Sequence, residues 1–407
     1  VTRWLTTLAV RGALGAVAEA SAQEFSVEGY GDLRTVSSFG QTGWLDGGLG
    51  KLRFEGDTGK GTTVTVPELF AEARLQPSSE WLVVGNIRYE EYQKTAFDTL
   101  EAYARYRPVS TTPLRWSVKA GAFFPPISLE NTAIGWTSPW TLTPSAIDSW
   151  VGEDLRTIGA EGRLEWRFGH GAAEFFGSVF GWNDLAGTVL AERGWVLGDR
   201  PVGLFDHFRL PDVLARRFGE AIPYTAPLIT EADNAPGWYA GASLREDGWG
   251  KLALMRYENR TNPSVRRGDQ FGWHTDFWNL SYQTSFGEVT LLTDAMSGAT
   301  AVAPSPVFAN STDFQSAYAL LGWETGDWTL TGRVEFFATQ QHRTFHAPTL
   351  SEHGMAQTVA ANWYVYSWLR LTAEAVIVES TRYQRSLAGL SPYSTEAQLQ
   401  LGARLFF

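Results

Sequence analysis

The sequence has no cysteine among its 407 residues. That excludes a disulfide framework, a thiolate metal site and a cysteine nucleophile. After residue 22 it has no apolar run of the roughly 20 residues a transmembrane helix needs. No Pro/Ser-rich linker, block of like charge or long amphipathic helix marks a domain boundary. Neither a G-x-S-x-G motif nor a phosphate-cradling P-loop is present. A formal net charge of −11 argues against a nucleic-acid partner.

What is present points elsewhere. There are 18 Trp, 24 Phe and 41 Gly residues, yet the mean hydropathy is only −0.18. A transmembrane barrel reconciles abundant aromatics with a mildly polar average, because each strand alternates a lipid-facing apolar residue with a lumen-facing polar one. In 81–89 the odd positions are Trp81, Val83, Gly85, Ile87 and Tyr89, while Asn86 and Arg88 fall on the even face. The same period of two recurs at 100–106, 114–124, 158–167, 328–336 and 397–407. Aromatic residues at the strand ends fit the two interfacial girdles. The fold class expected is all-β: a transmembrane antiparallel β-barrel.

Turn signals set the strand count. Short turns at 76–80, 108–113, 169–171, 246–248, 286–287, 325–327 and 367–368 alternate with longer segments near 41–65, 91–97, 125–155, 183–236, 261–270, 298–312, 339–354 and 381–394. Barrels of this class keep short turns in the periplasm and long loops outside. The pattern gives about sixteen strands, an even number that puts both ends in the periplasm. Residues 47–55 read as part of the first loop; counting them as a strand with one further partner gives an eighteen-stranded alternative. Sixteen strands enclose an aqueous channel in this reading. Residues 1–22 read as a signal peptide, with Arg3 at the start, an apolar stretch interrupted by Arg11 and an Ala20-Ser21-Ala22 cleavage site before Gln23. Residues 23–407 then form one barrel domain in the outer membrane of a Gram-negative bacterium, in contact with lipid and lipopolysaccharide.

Alternation places Arg88, Glu101, Arg105, Arg115, Lys119, Glu161, Arg163, Arg333 and Glu335 on the inner wall. They read either as a charged pore wall that sets ion preference or as cross-strand pairs that brace it. The third loop, 125–155, carries Trp136, Trp140 and Trp150, and is too apolar to lie free in water. It is expected to fold inward as a constriction, with Glu130, Asp148, Glu153 and Asp154 facing Arg105, Arg115 and Lys119. The alternative is packing over the barrel mouth. In the loop 183–236, Asp212 and Gly219 bracket a short helix. His342 and His346 have helical metal-ligand spacing but lie in a loop without the glutamate of H-E-x-x-H, so neither a metal nor any other cofactor is expected.

The stretch Gly121-Ala122-Phe123-Phe124-Pro125-Pro126-Ile127-Ser128-Leu129-Glu130 resembles the G-x-F-x-P-P-x-x-L-E segment with which the phosphate-selective porin O and P family enters its third, constricting loop. The start at 24–31 (EFSVEGYG) looks like that family's first strand. The resemblance implies a sixteen-stranded porin, commonly a homotrimer. That family lines its pore with an arginine ladder and a lysine-rich patch; here arginine and glutamate interleave and lysine is scarce, so no phosphate-binding residue carries over. The expected function is passive diffusion of small hydrophilic solutes or ions, without catalysis. The alternative is a non-conducting receptor or adhesin that uses its long outer loops.

Overall fold

The computed structural model describes residues 24–54, 61–91, 93–218, 223–344 and 349–407. The expected signal peptide, Gly219 and His346 lie outside the described residues. Sixteen strands run up and down: β1 (Glu24–Phe39), β2 (Thr62–Gln76), β3 (Trp81–Glu90), β4 (Ala102–Tyr106), β5 (Leu114–Phe123), β6 (Thr157–Phe168), β7 (Gly171–Gly181) and β8 (Gly237–Glu246), then β9 (Gly250–Glu258), β10 (His274–Phe286), β11 (Val289–Ser305), β12 (Phe308–Thr325), β13 (Trp328–Arg343), β14 (Glu352–Tyr366), β15 (Leu369–Arg382) and β16 (Tyr393–Phe406). Each pairs antiparallel with its neighbours, and β1 pairs with β16 from Tyr30↔Phe406 to Phe39↔Ala397, which closes the sheet. Phe407 extends the seam by exchanging backbone hydrogen bonds with Gly29, at 3.0 and 3.1 Å. Among the described residues, closure gives each of the sixteen strands a neighbour on both sides, as a hydrocarbon surrounding demands.

The outer wall is apolar because alternation makes it so. Leu33, Val83, Ile87, Leu164, Val334 and Leu401 are exposed there. Trp81, Trp166, Trp323, Trp328 and Trp363 mark the rim with the short turns, and Trp328 stacks on Trp363 with centroids 5.4 Å apart. On the last strand Leu399, Leu401, Leu405 and Phe407 face outward, as the alternation of 397–407 requires.

The eighteen-stranded alternative falls. Residues 47–54 form no spanning strand, and Leu52 makes only an isolated bridge to Leu197. The expected loop at 298–312 is mostly strand, since β11 runs to Ser305 and β12 starts at Phe308. Backbone pairing continues above the lipid belt there because it needs only a partner strand, not lipid. The strand expected at 98–107 is shortened instead. Phe97 and Asp98 pair with Tyr89 and Arg88, but Asn86 Oδ1 accepts the amides of Leu100 and Glu101 at 2.9 and 3.0 Å, which interrupts the ladder before Ala102.

Four outer loops place described residues in the interior: L1 (40–61), L2 (91–101), L3 (124–156) and L4 (182–236). L3 carries helix α1 (Ala146–Asp154), and L4 carries α2 (Thr188–Glu192) and α3 (Asp212–Phe218), the last at the helix expected from Asp212. The apolar core lies within the barrel. Ile147, Trp150 and Val151 of α1, Val189 and Leu190 of α2, and Trp195 of L4 pack against inward-facing Phe277, Phe314 and Phe337. Trp150 meets Phe277 and Phe314 with centroids 5.4 and 5.3 Å apart. A purely aqueous interior, as expected from strand number alone, does not hold at this level, because loop side chains complete the apolar patches of the wall.

Candidate functional site

L3 leaves β5 and turns at Ser128, which adopts a left-handed φ of 68°. The Ser128 hydroxyl donates to Asp148 at 2.7 Å and accepts the amide of Glu130 at 2.8 Å. Ser145 caps α1 by accepting the amide of Asp148, three residues on, a spacing that marks a helix start. Between these points the loop offers backbone amides to wall carboxylates. Leu142 and Thr143 donate to Glu374 at 2.6 and 3.0 Å, and Ala146 donates to Glu335 at 2.7 Å. The Arg333 guanidinium joins Glu130 at 2.6 Å and Glu335 at 3.0 Å, and donates to the carbonyls of Thr143 and Pro144. These wall groups sit on β13 and β15, across the barrel from the strands that carry L3. Burial, with Glu130 beside it, holds the Asp148 carboxyl well above the usual carboxylate range.

L4 is held by charge of the opposite sign. Asp199 pairs with Arg34 of β1 and with Arg53 of L1, the latter at 2.9 Å. Against the effect of burial, these two guanidiniums hold the Asp199 carboxyl below the usual carboxylate range. Arg88 donates to the carbonyls of Pro201 and Asp199 at 2.9 and 3.3 Å. The same arginines also reach wall acids: Arg34 to Asp32 and Glu68, both at 2.9 Å, and Arg88 to Glu68 at 2.9 Å and Glu90 at 2.8 Å. Lys51 of L1 joins Glu352, which also accepts the amide of Trp195 at 2.6 Å.

The wall of β4 to β7 differs. Arg105, Arg107, Arg115, Lys119 and Arg163, with Glu161, Glu165 and Glu174, line a cavity of about 240 Å³ toward the short-turn end. Lys119 and Arg163 share Glu161 at 3.5 and 2.7 Å, and Arg163 reaches Glu174 at 3.1 Å. Among the described residues, the side chains of Arg105, Arg107 and Arg115 have no acidic partner within 4.0 Å, so this wall is net cationic.

The residues singled out from the sequence therefore divide. Glu130, Asp148, Arg333 and Glu335 meet at the L3 seat. Arg105, Arg115, Lys119, Glu161 and Arg163 meet at the cationic cavity, and Arg88 belongs to the L4 seat. Glu101 accepts the amide of Phe124 at 3.0 Å, at the entry to L3. The expected facing of the L3 acids onto Arg105, Arg115 and Lys119 is corrected. Glu130 pairs with Arg333, Glu153 with Arg193 of L4, and Asp154 accepts from the Trp150 indole and the amide of Gly187, both at 2.8 Å. Glu130 finds its partner on the far wall and Glu153 and Asp154 find theirs in L4 and within L3, which spacing along the chain cannot reveal. Asp199, Lys51, Glu352 and Glu374 were missed as site residues, although alternation marks Glu374 as inward. Asp184, Glu231 and Asp233 also converge, but they accept hydrogen bonds from Thr261, Trp182 and Asn262, among others, and so tie L4 to the loop after β9.

No family model matches the chain, and no curated protein matches its sequence. Solved structures do. OmpT of Vibrio cholerae, an outer-membrane protein folded in vitro and described in a trimer form, matches with a TM-score of 0.51 at 10% identity, over 95% of this chain and 100% of that one. A loop L8 deletion mutant of OmpT gives 0.51 at 10% identity, covering 94% and 99%. An anion-selective porin from Comamonas acidovorans gives 0.50 at 9% identity, covering 95% and 100%. At such identities the likeness is one of fold. The chain is a sixteen-stranded outer-membrane β-barrel of porin architecture; membership of the phosphate-selective porin family does not follow.

Proposed function

We propose that this barrel is an outer-membrane porin that passes small hydrophilic solutes, anions in preference, through a lumen narrowed by L3. The observation that carries the reading is the division of the inner wall. Glu130 is occupied by Arg333 on the far side and Glu153 by Arg193 of L4, while Arg105, Arg107 and Arg115 have no acidic partner within 4.0 Å among the described residues beside an open cavity. Wall charge of one sign next to a water-filled space sets ion preference without any chemical step. The Comamonas porin with the matching fold is itself described as anion-selective. Assembly as a homotrimer belongs to the proposal. Thr35, Ser37, Thr63 and Thr65 make the outer face of β1 and β2 more polar than lipid favours, and Ser37 and Thr63 hydrogen-bond there at 2.9 Å.

Planar-bilayer recording of the purified protein tests this. Channel current is expected, with a reversal potential in a KCl gradient on the chloride side. Deleting residues 132–148 is expected to raise single-channel conductance, and unchanged conductance would sink the L3 constriction. A second reading, a non-conducting receptor, is favoured by the Trp150 and Trp195 cluster that fills the mid-lumen. Complete absence of current from a folded barrel would select it.

A further inference from the structure

Residues 195–205 of L4 form a strap across the lumen. One end is anchored on β13 and β14: the Trp195 indole donates to the Ala338 carbonyl at 3.0 Å, and its amide to Glu352 at 2.6 Å. The ring packs edge-on against Trp150 and Phe314, with both centroids 6.0 Å away. The middle lies on α1, where Gly198 donates to Ser149 Oγ at 3.0 Å and Val202 to the Gly152 carbonyl at 2.9 Å. There Asp199 meets Arg34 and Arg53. The far end reaches L2, with Leu204 donating to the Thr99 carbonyl at 2.9 Å and Phe205 to Asp98 at 3.0 Å. Between strap and L3 there remains a gap of about 20 Å³, bounded by Glu68, Asp148, Arg200 and Arg404 among others. That is room for about one water molecule.

We infer that this strap is a second closing element of the pore, distinct from L3: a gate latched by Asp199 on Arg34 and Arg53 and hinged at Trp195. The inference rests on the porin reading. Two features make the strap, rather than L3, the part that moves. The Trp195 end is fixed by two ring contacts and two hydrogen bonds, so it can stay in place while the rest of the strap swings about it. The Asp199 end is held by charge, and its release strands no cation. Arg34 keeps Asp32 and Glu68, and Arg53 keeps Glu90. Stranded buried charge is what makes breaking such pairs costly, and here it is avoided. L3 has no such provision, because buried Glu374 of the wall, which has no cationic side chain within 4.0 Å among the described residues, would lose the amides of Leu142 and Thr143.

The absence of native cysteine permits a clean test. A Cβ built on Gly152 lies 3.5 Å from Pro201 Cα, so Gly152→Cys with Pro201→Cys places two thiols within disulfide reach on α1 and the strap. Single-channel recordings on barrels verified as folded by heat-dependent gel mobility are expected to show openings in the reduced pair, none in the oxidised pair, and recovery with reductant. Asp199→Asn is expected to raise the open fraction by about tenfold or more, the factor that loss of one charge-assisted hydrogen bond gives. An oxidised pair, its cross-link confirmed by mass, that conducts like the reduced one overturns the gate and leaves the porin standing. An unchanged open fraction in Asp199→Asn overturns the latch. If wild type and a variant with 195–205 replaced by a Gly-Ser linker are both silent, the porin reading fails and the gate with it.

Discussion

The two sides of the inner wall use the same residue types for opposite ends. On β13 to β15, Arg333, Glu335 and Glu374 are buried, and each gives at least one polar atom to L3. On β4 to β7, Arg105 and Arg115 are partly exposed and, among the described residues, have no acidic partner within 4.0 Å beside an open cavity. Where L3 covers the wall its charges are taken up as a brace, and where no loop covers it Arg105 and Arg115 stay free to act, in the proposed reading, as a pore wall. The residue itself does not decide; the covering backbone does.

The sharpest way to break this contrast is to remove the brace. Arg333→Met leaves Glu130 and Glu335 buried without their cation, a change that costs about 3–5 kcal/mol when one partner of a buried pair is lost. L3 is expected to leave its seat. Limited proteolysis should then cut within 132–148, where the wild type resists, and conductance should rise. Resistance and conductance equal to wild type would mean that Arg333 is no brace and that the two walls do not differ in kind.

Much of the fold was legible in the sequence. Period-two alternation gave the strands, their facing and their even number, because lipid on one side and polar groups on the other impose it directly. Which inward charges meet a loop was not legible. Arg115 and Arg333 both sit at inward positions between outward-facing neighbours, Leu114 and Trp116 for the one, Gly332 and Val334 for the other. Nothing local separates them. Their difference comes from where L3 lands, some two hundred residues away in sequence for Glu130 and Arg333. The L4 latch was hidden for the same reason: Asp199 lies in a segment with no periodicity, and only the fold brings it to Arg34. The capping pattern of Ser145 and Asp148 was readable and would have placed α1 within L3.

The open wall offers a second test, with an electrical rather than a structural effect. Arg105→Gln with Arg115→Gln removes charge where no acidic side chain lies within 4.0 Å among the described residues. Stability is expected to stay within about 0.5 kcal/mol per substitution, as for ordinary exposed positions. The reversal potential in a KCl gradient should move toward cation preference. If thermal stability falls while selectivity holds, these arginines are braces after all, and the division of the wall is drawn in the wrong place.

The smallest expected effect is that of pH, and it separates the two loop seats by sign. Asp148 has its folded pKa raised, by burial and by Glu130. The folded state thus holds its proton more tightly than the unfolded chain, whose aspartates titrate near about 3.9. Its contribution to the L3 seat is fully present below that value and is lost as pH rises through the raised pKa. Asp199 is the reverse. With its folded pKa depressed by Arg34 and Arg53, its contribution is present above about 3.9 and fades as pH falls toward the depressed value. Raising pH from acid to neutral should therefore loosen L3 while leaving the strap latched, and acidification should firm L3 while weakening the latch. Protease sensitivity within 132–148, followed against pH, should rise in the wild type and stay flat in Asp148→Asn, which cannot ionise. A parallel rise in both proteins would remove Asp148 as the cause and leave the two seats with the same response to protons.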